Sequence, residues 1–291
     1  MTKTLLPSQT DAFQREGYLI DRGVFSPSEL SDLRALAERV QRKTRELLPP
    51  GTRYWFGGKD EGAVIPDALK PLATWGINEI TRPSLFEPGL VNVFAHPRVH
   101  EMLHALLGPE PRAWGIKILW TPKVVGYDLH WHRDLSEALY DVVPNKPRAQ
   151  DHVQFNAALN VDDCFLVIPG SHRRPLTEQE WTSVRQRSTA KLPGEVTTAL
   201  EPGDILYMDA HTLHRGRSSV EGDRLTLHYS AQAQWVPLKE WGDPDDFAWI
   251  SSDSFQDQLE PNARPLYARL RTAVRTDEAG IHNKEPTRYG D

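Results

Sequence analysis

The sequence has few cysteines, little net charge and no long apolar run. Its 291 residues include one cysteine, so an intrachain disulfide and a cysteine-rich zinc site are both excluded. The formal net charge of −6 argues against a nucleic-acid partner. Apolar runs such as 164–168 are too short to span a bilayer, and the first residues lack the apolar stretch of a signal peptide. We therefore expect a cytoplasmic protein with no membrane partner.

The composition indicates a globular, turn-rich chain. With 39% hydrophobic residues, a chain of this length can bury a full core. The 19 glycines and 23 prolines favour many short elements. We expect one domain over residues 1–291, made of a helical part to about 110, a β core over about 111–232, and a C-terminal segment of little periodicity that wraps the core.

Two helices are predicted before the β core. Residues 26–29, Ser-Pro-Ser-Glu, form a capping box with proline at the first helical position, and apolar residues follow at helical spacing until 49–51, Pro-Pro-Gly. A second amphipathic helix is predicted over 97–107, before Gly108.

From residue 111 onward the apolar period changes to two. The segments 114–120, 152–159 and 224–230 each alternate apolar and polar residues, which predicts strands with one apolar face and one polar face. Turn clusters separate them, as in a sandwich, barrel or jelly roll. We expect the polar face to line a wet cavity, although simple solvent exposure explains any single residue equally well; its members are Lys117, Gln154, Asn156, Thr226 and His228.

The best candidate metal site is an H-x-D triplet. His132 and Asp134 lie two residues apart, so in an extended chain their side chains point to the same side. A second imidazole, for which His214 is the best candidate, would complete a two-histidine, one-carboxylate triad of the kind that binds iron(II). An exposed ion pair with Arg133 is the plain alternative, and His130 is a rival ligand.

Other residues receive plainer interpretations. Arg224 and Thr226 share a strand face, and together they could bind a carboxylate. We expect His211 near the site or at the surface, His172 at a turn and Cys164 in the core. Three segments could act as lids over a cavity: 54–59, 135–150 and 235–249.

A competing motif lies on the second predicted helix. Residues 100–104 read His-Glu-Met-Leu-His, which fits the H-E-x-x-H signature of zinc metalloproteases. The longer metzincin form of this signature is absent. A solvated helix face explains His100, Glu101 and His104 as well, and a zinc hydrolase that uses these residues stays open as an alternative.

Several motifs, taken in order, resemble the phytanoyl-CoA dioxygenase family of iron(II)/2-oxoglutarate oxygenases. The matching segments are 13–19 Phe-Gln-Arg-Glu-Gly-Tyr-Leu, 131–134 Trp-His-Arg-Asp, 167–172 Val-Ile-Pro-Gly-Ser-His, 200–206 Leu-Glu-Pro-Gly-Asp-Ile-Leu and 213–216 Leu-His-Arg-Gly, followed by Arg224. The segment 160–164 is shorter than the one usual in the family. We expect this difference to alter the pocket wall without reaching the metal ligands.

The resemblance implies a double-stranded β-helix with flanking helices that holds iron(II) and uses 2-oxoglutarate and O2. It implies His132, Asp134 and His214 as iron ligands and Arg224 as the 2-oxoglutarate anchor. The polar strand faces add Thr226, Lys117 and Gln154 as further cofactor-binding candidates. The expected reaction is hydroxylation, desaturation or cyclisation of a small polar metabolite or natural-product intermediate. Because Asp134 supplies a carboxylate where a halogenase leaves room for halide, halogenation is disfavoured. A non-catalytic binding protein on the same fold is the second alternative.

Overall fold

The computed structural model describes residues 7–47, 76–77, 80–121, 127–134, 151–218, 222–236 and 248–276. Its helices are α1 Pro7–Glu16, α2 Pro27–Leu47, α3 Pro88–Val91, α4 Pro97–Leu107, α5 Glu178–Arg185, α6 Asp253–Gln256 and α7 Arg264–Thr276, with short 3-10 helices at Asn92–Ala95 and Ser171–Arg173. Within these ranges, none of the helices has the length and the apolar composition of a membrane span.

Two antiparallel sheets form the core of the molecule. The strands are β1 Tyr18–Asp21, β2 Gly76–Ile77, β3 Pro111–Thr121, β4 Tyr127–Asp128, β5 His152–Ala158, β6 Phe165–Val167, β7 Val196–Thr197, β8 Ile205–Asp209, β9 His214–Ser218 and β10 Arg224–Ala233. The larger sheet has the order β1-β8-β5-β10-β3-β2, and the smaller one β4-β9-β6-β7. This sheet-rich architecture confirms the predicted fold class, a double-stranded β-helix with flanking helices.

Both predicted N-terminal helices form where their end signals place them. Ser26 and Glu29 make the reciprocal capping-box contacts: the Glu29 backbone N–H donates to Ser26 Oγ over 3.3 Å, and the Ser26 backbone N–H donates to a Glu29 carboxylate oxygen over 2.8 Å. Helix α4 ends at Leu107, and Gly108 follows at a φ of +88°. A positive φ favours glycine, so the residue type matches the stop of the helix.

On β5 and β10 of the larger sheet one face is apolar and the other is polar, as the alternating pattern predicts, while β8 places Leu206 and Met208 on the second face. Val153, Phe155 and Ala157 of β5 pack against the same core as the apolar residues of α2, α4 and α7. Their neighbours Gln154 and Asn156 lie on the opposite face and line a cavity between the sheets. Burial of the apolar face stabilises the sheet by roughly 25 cal/mol per Å² of apolar surface. The polar face is therefore the one available to a site.

The C-terminal part differs from the prediction. We expected little periodicity after residue 233, but Arg264–Thr276 forms a helix, α7, whose Leu266, Tyr267 and Leu270 are buried in the main core. These apolar residues lie at helical spacing. The aperiodic residues before and after them made this short helical pattern hard to recognise in the sequence. Of the proposed lids, 54–59 and 135–150 lie outside the described residues, as does most of 235–249.

Candidate metal centre and active site

Backbone hydrogen bonds bring the three triad residues together. The His132 N–H donates to the His214 carbonyl over 2.9 Å, and the His214 N–H donates back over 3.0 Å. This pairing joins the H-x-D segment to the first residue of β9. The Asp134 N–H donates to the Ala210 carbonyl over 3.1 Å. This hydrogen bond holds Asp134 beside the short segment between β8 and β9, which leads into His214. The three side chains are therefore positioned by main-chain contacts.

Both triad imidazoles are oriented by hydrogen bonds at Nδ1. His132 Nδ1–H donates to the His130 carbonyl and His214 Nδ1–H to the Thr212 carbonyl, each over 2.8 Å. Because a carbonyl only accepts, the proton is on Nδ1 and the Nε2 lone pair remains for a metal ion. The Phe165 ring also stacks on His214 at a centroid distance of 5.1 Å. Each ring is thus held in the tautomer and orientation that a ligand requires.

The donor atoms fit a single ion. Asp134 Oδ2 lies 3.3 Å from His214 Nε2, and Asp134 Oδ1 lies 3.8 Å from His132 Nε2. Ligand atoms about 2.1 Å from an ion at right angles are separated by about 3 Å, which is close to these values. Two imidazoles and one carboxylate suit iron(II) and leave coordination positions open.

The charge states of the triad favour cation binding. Burial, with a smaller contribution from His214, lowers the pKa of His132 to about 3, so its imidazole is neutral near pH 7. Burial alone would raise the pKa of Asp134, but the neighbouring His214 and His132 outweigh it and lower that pKa. A neutral imidazole and an ionised carboxylate are the forms that bind a metal without first losing a proton.

A cavity open to solvent lies beside the triad. Its described lining combines the three triad side chains with apolar and polar neighbours from both sheets: Leu119, Leu129, Gln154, Asn156, Phe165, Gly216, Arg224 and His228. Arg224 therefore shares a cavity with the metal candidates, as a carboxylate anchor should. Its guanidinium is the one cationic side chain in this described lining.

A buried aspartate accompanies Arg224. Arg224 Nε donates to Asp162 Oδ2 over 3.0 Å, and both side chains are at most 3% exposed. The Thr226 hydroxyl donates to the same carboxylate oxygen over 2.6 Å, and Thr226 is not part of the described cavity lining. Thr226 thus contacts Asp162, and its expected contact with the cosubstrate stays a prediction.

The short segment 160–164 therefore contacts the predicted 2-oxoglutarate anchor, which we did not expect. It supplies Asp162 to the predicted 2-oxoglutarate anchor, and none of its residues is part of the described cavity lining. Asp162 was not predicted as part of the site, because nothing in its local pattern points to a partner 62 residues away.

The other predicted cofactor-binding residues lie on the polar strand faces. Gln154 lines the cavity. Lys117 is paired in register with His228, which lines the cavity, across β3 and β10. Burial lowers the pKa of His228 well below its ordinary value, and the positive charge of Lys117 contributes to this shift. The Lys117 ammonium is therefore near the cavity, although it is not part of its described lining.

The remaining singled-out residues have structural contacts. His130 offers its carbonyl to His132, and its ring centroid lies 5.7 Å from that of His132, against 4.3 Å for His214. His211 is buried, with Nε2 at 2.8 Å and 3.0 Å from the two carboxylate oxygens of Asp151. Cys164 is a buried free thiol, and His172 lies in the short 3-10 helix after the Pro-Gly turn.

The H-E-x-x-H motif does not assemble a metal site in the described part of the chain. His100 and His104 are half-buried on α4 with ring centroids 4.4 Å apart, and Glu101 is exposed. The two groups of potential ligands found among the described residues are His132–Asp134–His214 and Asp151–Asp209–His211, and neither includes the α4 histidines.

The fold and the triad define a non-haem iron(II)/2-oxoglutarate oxygenase. A model described as "Phytanoyl-CoA dioxygenase (PhyH)" matches residues 13–223, and the chain belongs to this family. The matched region holds the whole triad and ends one residue before Arg224.

Curated relatives are distant but extensive. The ectoine dioxygenase of Bordetella parapertussis is 22% identical over 235 residues, covering 74% of this chain and 71% of the relative. The peroxisomal phytanoyl-CoA dioxygenase of Rattus norvegicus is 22% identical over 256 residues, covering 79% and 70%. Among solved structures, EctD from S. alaskensis with 2-oxoglutarate and 5-hydroxyectoine aligns with a TM-score of 0.56 at 21% identity, covering 81% of this chain and 79% of that one.

Proposed function

We propose that this protein hydroxylates a small polar metabolite or natural-product intermediate, with iron(II) bound by His132, Asp134 and His214. The observation that carries the proposal is the convergence of two Nε2 atoms and one carboxylate, all within 4.8 Å of one another, at a cavity that also contains Arg224. Desaturation and cyclisation use the same site and remain alternative outcomes.

Each part of the cavity has a task in this reaction. When bound, iron(II) and 2-oxoglutarate would provide the electrons that activate O2. The 2-oxoglutarate would be converted to succinate and CO2, and the activated oxygen would oxidise the substrate. Arg224 would bind the distal carboxylate of 2-oxoglutarate through its planar donor fork. Lys117 and Gln154 are proposed as neighbouring polar contacts. Leu119, Leu129 and Phe165 would exclude water from the reacting atoms.

The polar lining supports the proposed substrate class. Gln154 and Asn156 place amide groups in the cavity, and Asn156 Oδ1 is buried without a hydrogen-bond partner in the described structure. A buried amide oxygen without a partner favours a ligand that carries donor groups. Two relatives, each 22% identical to this chain, are named for different substrates, ectoine and phytanoyl-CoA. We therefore transfer neither substrate to this chain.

The decisive experiment compares wild type with Asp134→Ala. Wild type should bind iron(II), develop the absorption band of an iron–2-oxoglutarate chelate under anaerobic conditions, and release succinate in air. Asp134→Ala should remain folded and lose succinate formation, because removal of one ligand leaves an incomplete site. A panel of polar metabolites, screened for a product that gains one oxygen atom, then identifies the substrate. Normal turnover by the alanine variant would refute the assignment.

We also propose a cytoplasmic location, which the scarcity of cysteine, one in 291 residues, supports. Fractionation of the native host cells tests this location directly.

A further inference from the structure

Asp162 is a buried carboxylate that accepts hydrogen bonds at both oxygens. Its Oδ2 accepts Arg224 Nε and the Thr226 hydroxyl, and its Oδ1 accepts the Cys164 N–H over 2.9 Å. Burial raises the pKa of Asp162, but Arg224, Thr226 and the Cys164 N–H outweigh burial and leave that pKa below its ordinary value. The carboxylate is therefore ionised, and each oxygen is used.

The backbone of Asp162 is fixed as well. The Asp162 N–H donates to the Leu200 carbonyl over 3.0 Å, and the Leu200 N–H donates back over 2.9 Å. This isolated bridge holds the segment between β5 and β6 against the chain just before β8. The backbone hydrogen bonds thus fix the position of the Asp162 carboxylate. The carboxylate in turn fixes the orientation of the Arg224 guanidinium that contacts it.

The contact on Arg224 is made at Nε. In a planar guanidinium, Nε lies on the side-chain stem, while the two terminal nitrogens lie at the far end of the same plane. A carboxylate held against Nε fixes the rotation of that plane. Because Arg224 lines the cavity beside the triad, the plane that Asp162 orients is the one facing the proposed 2-oxoglutarate site.

We propose that Asp162 is a positioning residue for the cosubstrate: it holds Arg224 through Nε so that the guanidinium grips the distal carboxylate of 2-oxoglutarate, and Thr226 acts by holding Asp162. This inference rests on the proposed function, in which Arg224 is the 2-oxoglutarate anchor. It assigns Thr226 an indirect role in place of direct cosubstrate contact.

Charge and orientation make opposite predictions, which allows a clean test. Asp162 carries a negative charge close to the site of a dianion, so Coulomb repulsion alone would make its neutralisation tighten 2-oxoglutarate binding. Loss of orientation would weaken binding. Asp162→Asn removes the charge and the acceptor for the Cys164 N–H but retains an amide oxygen for Nε, whereas Asp162→Leu removes the charge and both acceptors on a side chain with the same branching.

The experiment is calorimetric titration of 2-oxoglutarate into anaerobic iron(II)-loaded wild type and both variants. Asp162→Leu should bind 2-oxoglutarate about tenfold more weakly, which is about 1.4 kcal/mol. Asp162→Asn should bind at least as tightly as wild type. Iron affinity should be unchanged in both variants, and the KM for 2-oxoglutarate should rise in Asp162→Leu with little change in kcat, a split that a general structural defect would not produce.

The outcomes distinguish a failure of the Asp162 role from a failure of the proposed function on which it rests. If wild type binds no 2-oxoglutarate, or Arg224→Ala binds it normally, the proposed anchor is wrong, and the role of Asp162 falls with it. If wild type and Arg224→Ala behave as proposed but Asp162→Leu binds as tightly as wild type, the positioning role alone is overturned. If Asp162→Leu does not fold, Thr226→Val replaces it: we expect roughly threefold weaker binding, restored in Thr226→Ser, and wild-type affinity in Thr226→Val would overturn the inference.

Discussion

At the residue scale, a buried Asp151–His211 pair supports the turn beside the metal site. The turn from 209 to 212 follows β8, and the His211 N–H donates to the Asp209 carboxylate over 2.8 Å. From the same turn, the Ala210 carbonyl accepts the Asp134 N–H and the Thr212 carbonyl accepts His214 Nδ1–H. Two of the three proposed iron ligands are thus oriented by one short turn. Asp151 holds this turn in place through its contact with the His211 side chain.

We therefore predict that His211→Phe weakens iron binding. Loss of a residue that orients metal ligands typically costs about 10–100-fold in metal affinity. The measurement is competition of the apoprotein with a chelator for iron(II) or cobalt(II). His104→Ala, which alters a half-buried histidine on α4, is the control and should retain wild-type affinity. A wild-type stoichiometry of two ions per chain that falls to one in His211→Phe would instead show that the Asp151–Asp209–His211 cluster itself binds a metal.

A second prediction at this scale concerns pH and His172. Burial lowers the pKa of His172 from 6.5 to about 4. As the pH falls from 6.5 to 4, the unfolded chain takes up a proton that the folded chain does not, so the free energy of unfolding decreases. Below both pKa values, the loss from this residue is on the order of 3 kcal/mol.

The matched variant for this prediction is His172→Gln. His172 Nε2–H donates to the Gln14 carbonyl over 3.1 Å, and a glutamine amide can donate there without titrating. Urea unfolding at several pH values should show a shallower slope between pH 6.5 and 4 in the variant. Equal slopes in the two proteins would show that His172 does not couple folding to protons.

How far the sequence predicts the site depends on how local its signals are. The H-x-D spacing and the alternation on β5 and β10 are local, and the structure brings the predicted triad together at the polar strand faces. Asp162 and Asp151 act through partners about 60 residues away, Arg224 and His211, and no local spacing encodes such a contact. Only the folded register of the strands reveals these pairs.

At the element scale, the turn between α1 and β1 requires glycine. Gly17 has a φ of +80°, and a Cβ there would lie 2.5 Å from both His172 Nδ1 and Thr212 Oγ1. Its carbonyl accepts the Thr212 hydroxyl and the Asp209 N–H. The start of the chain is thus packed directly against the segment that leads into β9 and His214.

We predict that Gly17→Ala destabilises the protein by about 2–4 kcal/mol, from the unfavourable positive φ and from overpacking. Gly23→Ala is the matched control. Gly23 also has a positive φ, +58°, but a Cβ there meets nothing within 4 Å, so only the conformational cost of about 1 kcal/mol applies. Chemical denaturation of both variants measures the difference. Equal destabilisation would mean that the contact with His172 and Thr212 relaxes freely.

Elements with strong end signals were predicted well. Helices α2 and α4 begin where a capping box and a proline place them, and α4 ends before Gly108. Helix α7 carries similar signals, with Pro265 at its second position and Leu266 and Leu270 at helical spacing. It was missed because the aperiodic, Trp- and Pro-rich stretch before it hid this short pattern.

At the scale of the whole molecule, one core joins the helices to the larger sheet. Phe94 contacts Phe155 of β5, Tyr229 of β10 and Tyr267 of α7 edge to face, with ring centroids 5.3–5.9 Å apart. The Tyr229 hydroxyl donates to the Leu90 carbonyl of α3 over 2.8 Å. Elements from the N-terminal, central and C-terminal parts of the chain thus share the same buried contacts, which supports the prediction of a single domain.

Leu270 provides the test of that prediction. Its side chain on α7 is fully buried in the shared core, so Leu270→Ala should cost about 2–5 kcal/mol. Thr272→Ala, an exposed position on the same helix, should change stability by no more than about 0.5 kcal/mol. If the chain is one domain, Leu270→Ala shifts a single unfolding transition, and far-ultraviolet circular dichroism and tryptophan fluorescence remain coincident. The fluorescence reports on both buried clusters, because Trp131 lies with Leu166 and Leu213 while Trp114 and Trp249 pack against the main core that contains α7. A variant in which helical signal is lost before the fluorescence changes would show instead that α7 unfolds as a separate unit, and the single-domain prediction would be wrong.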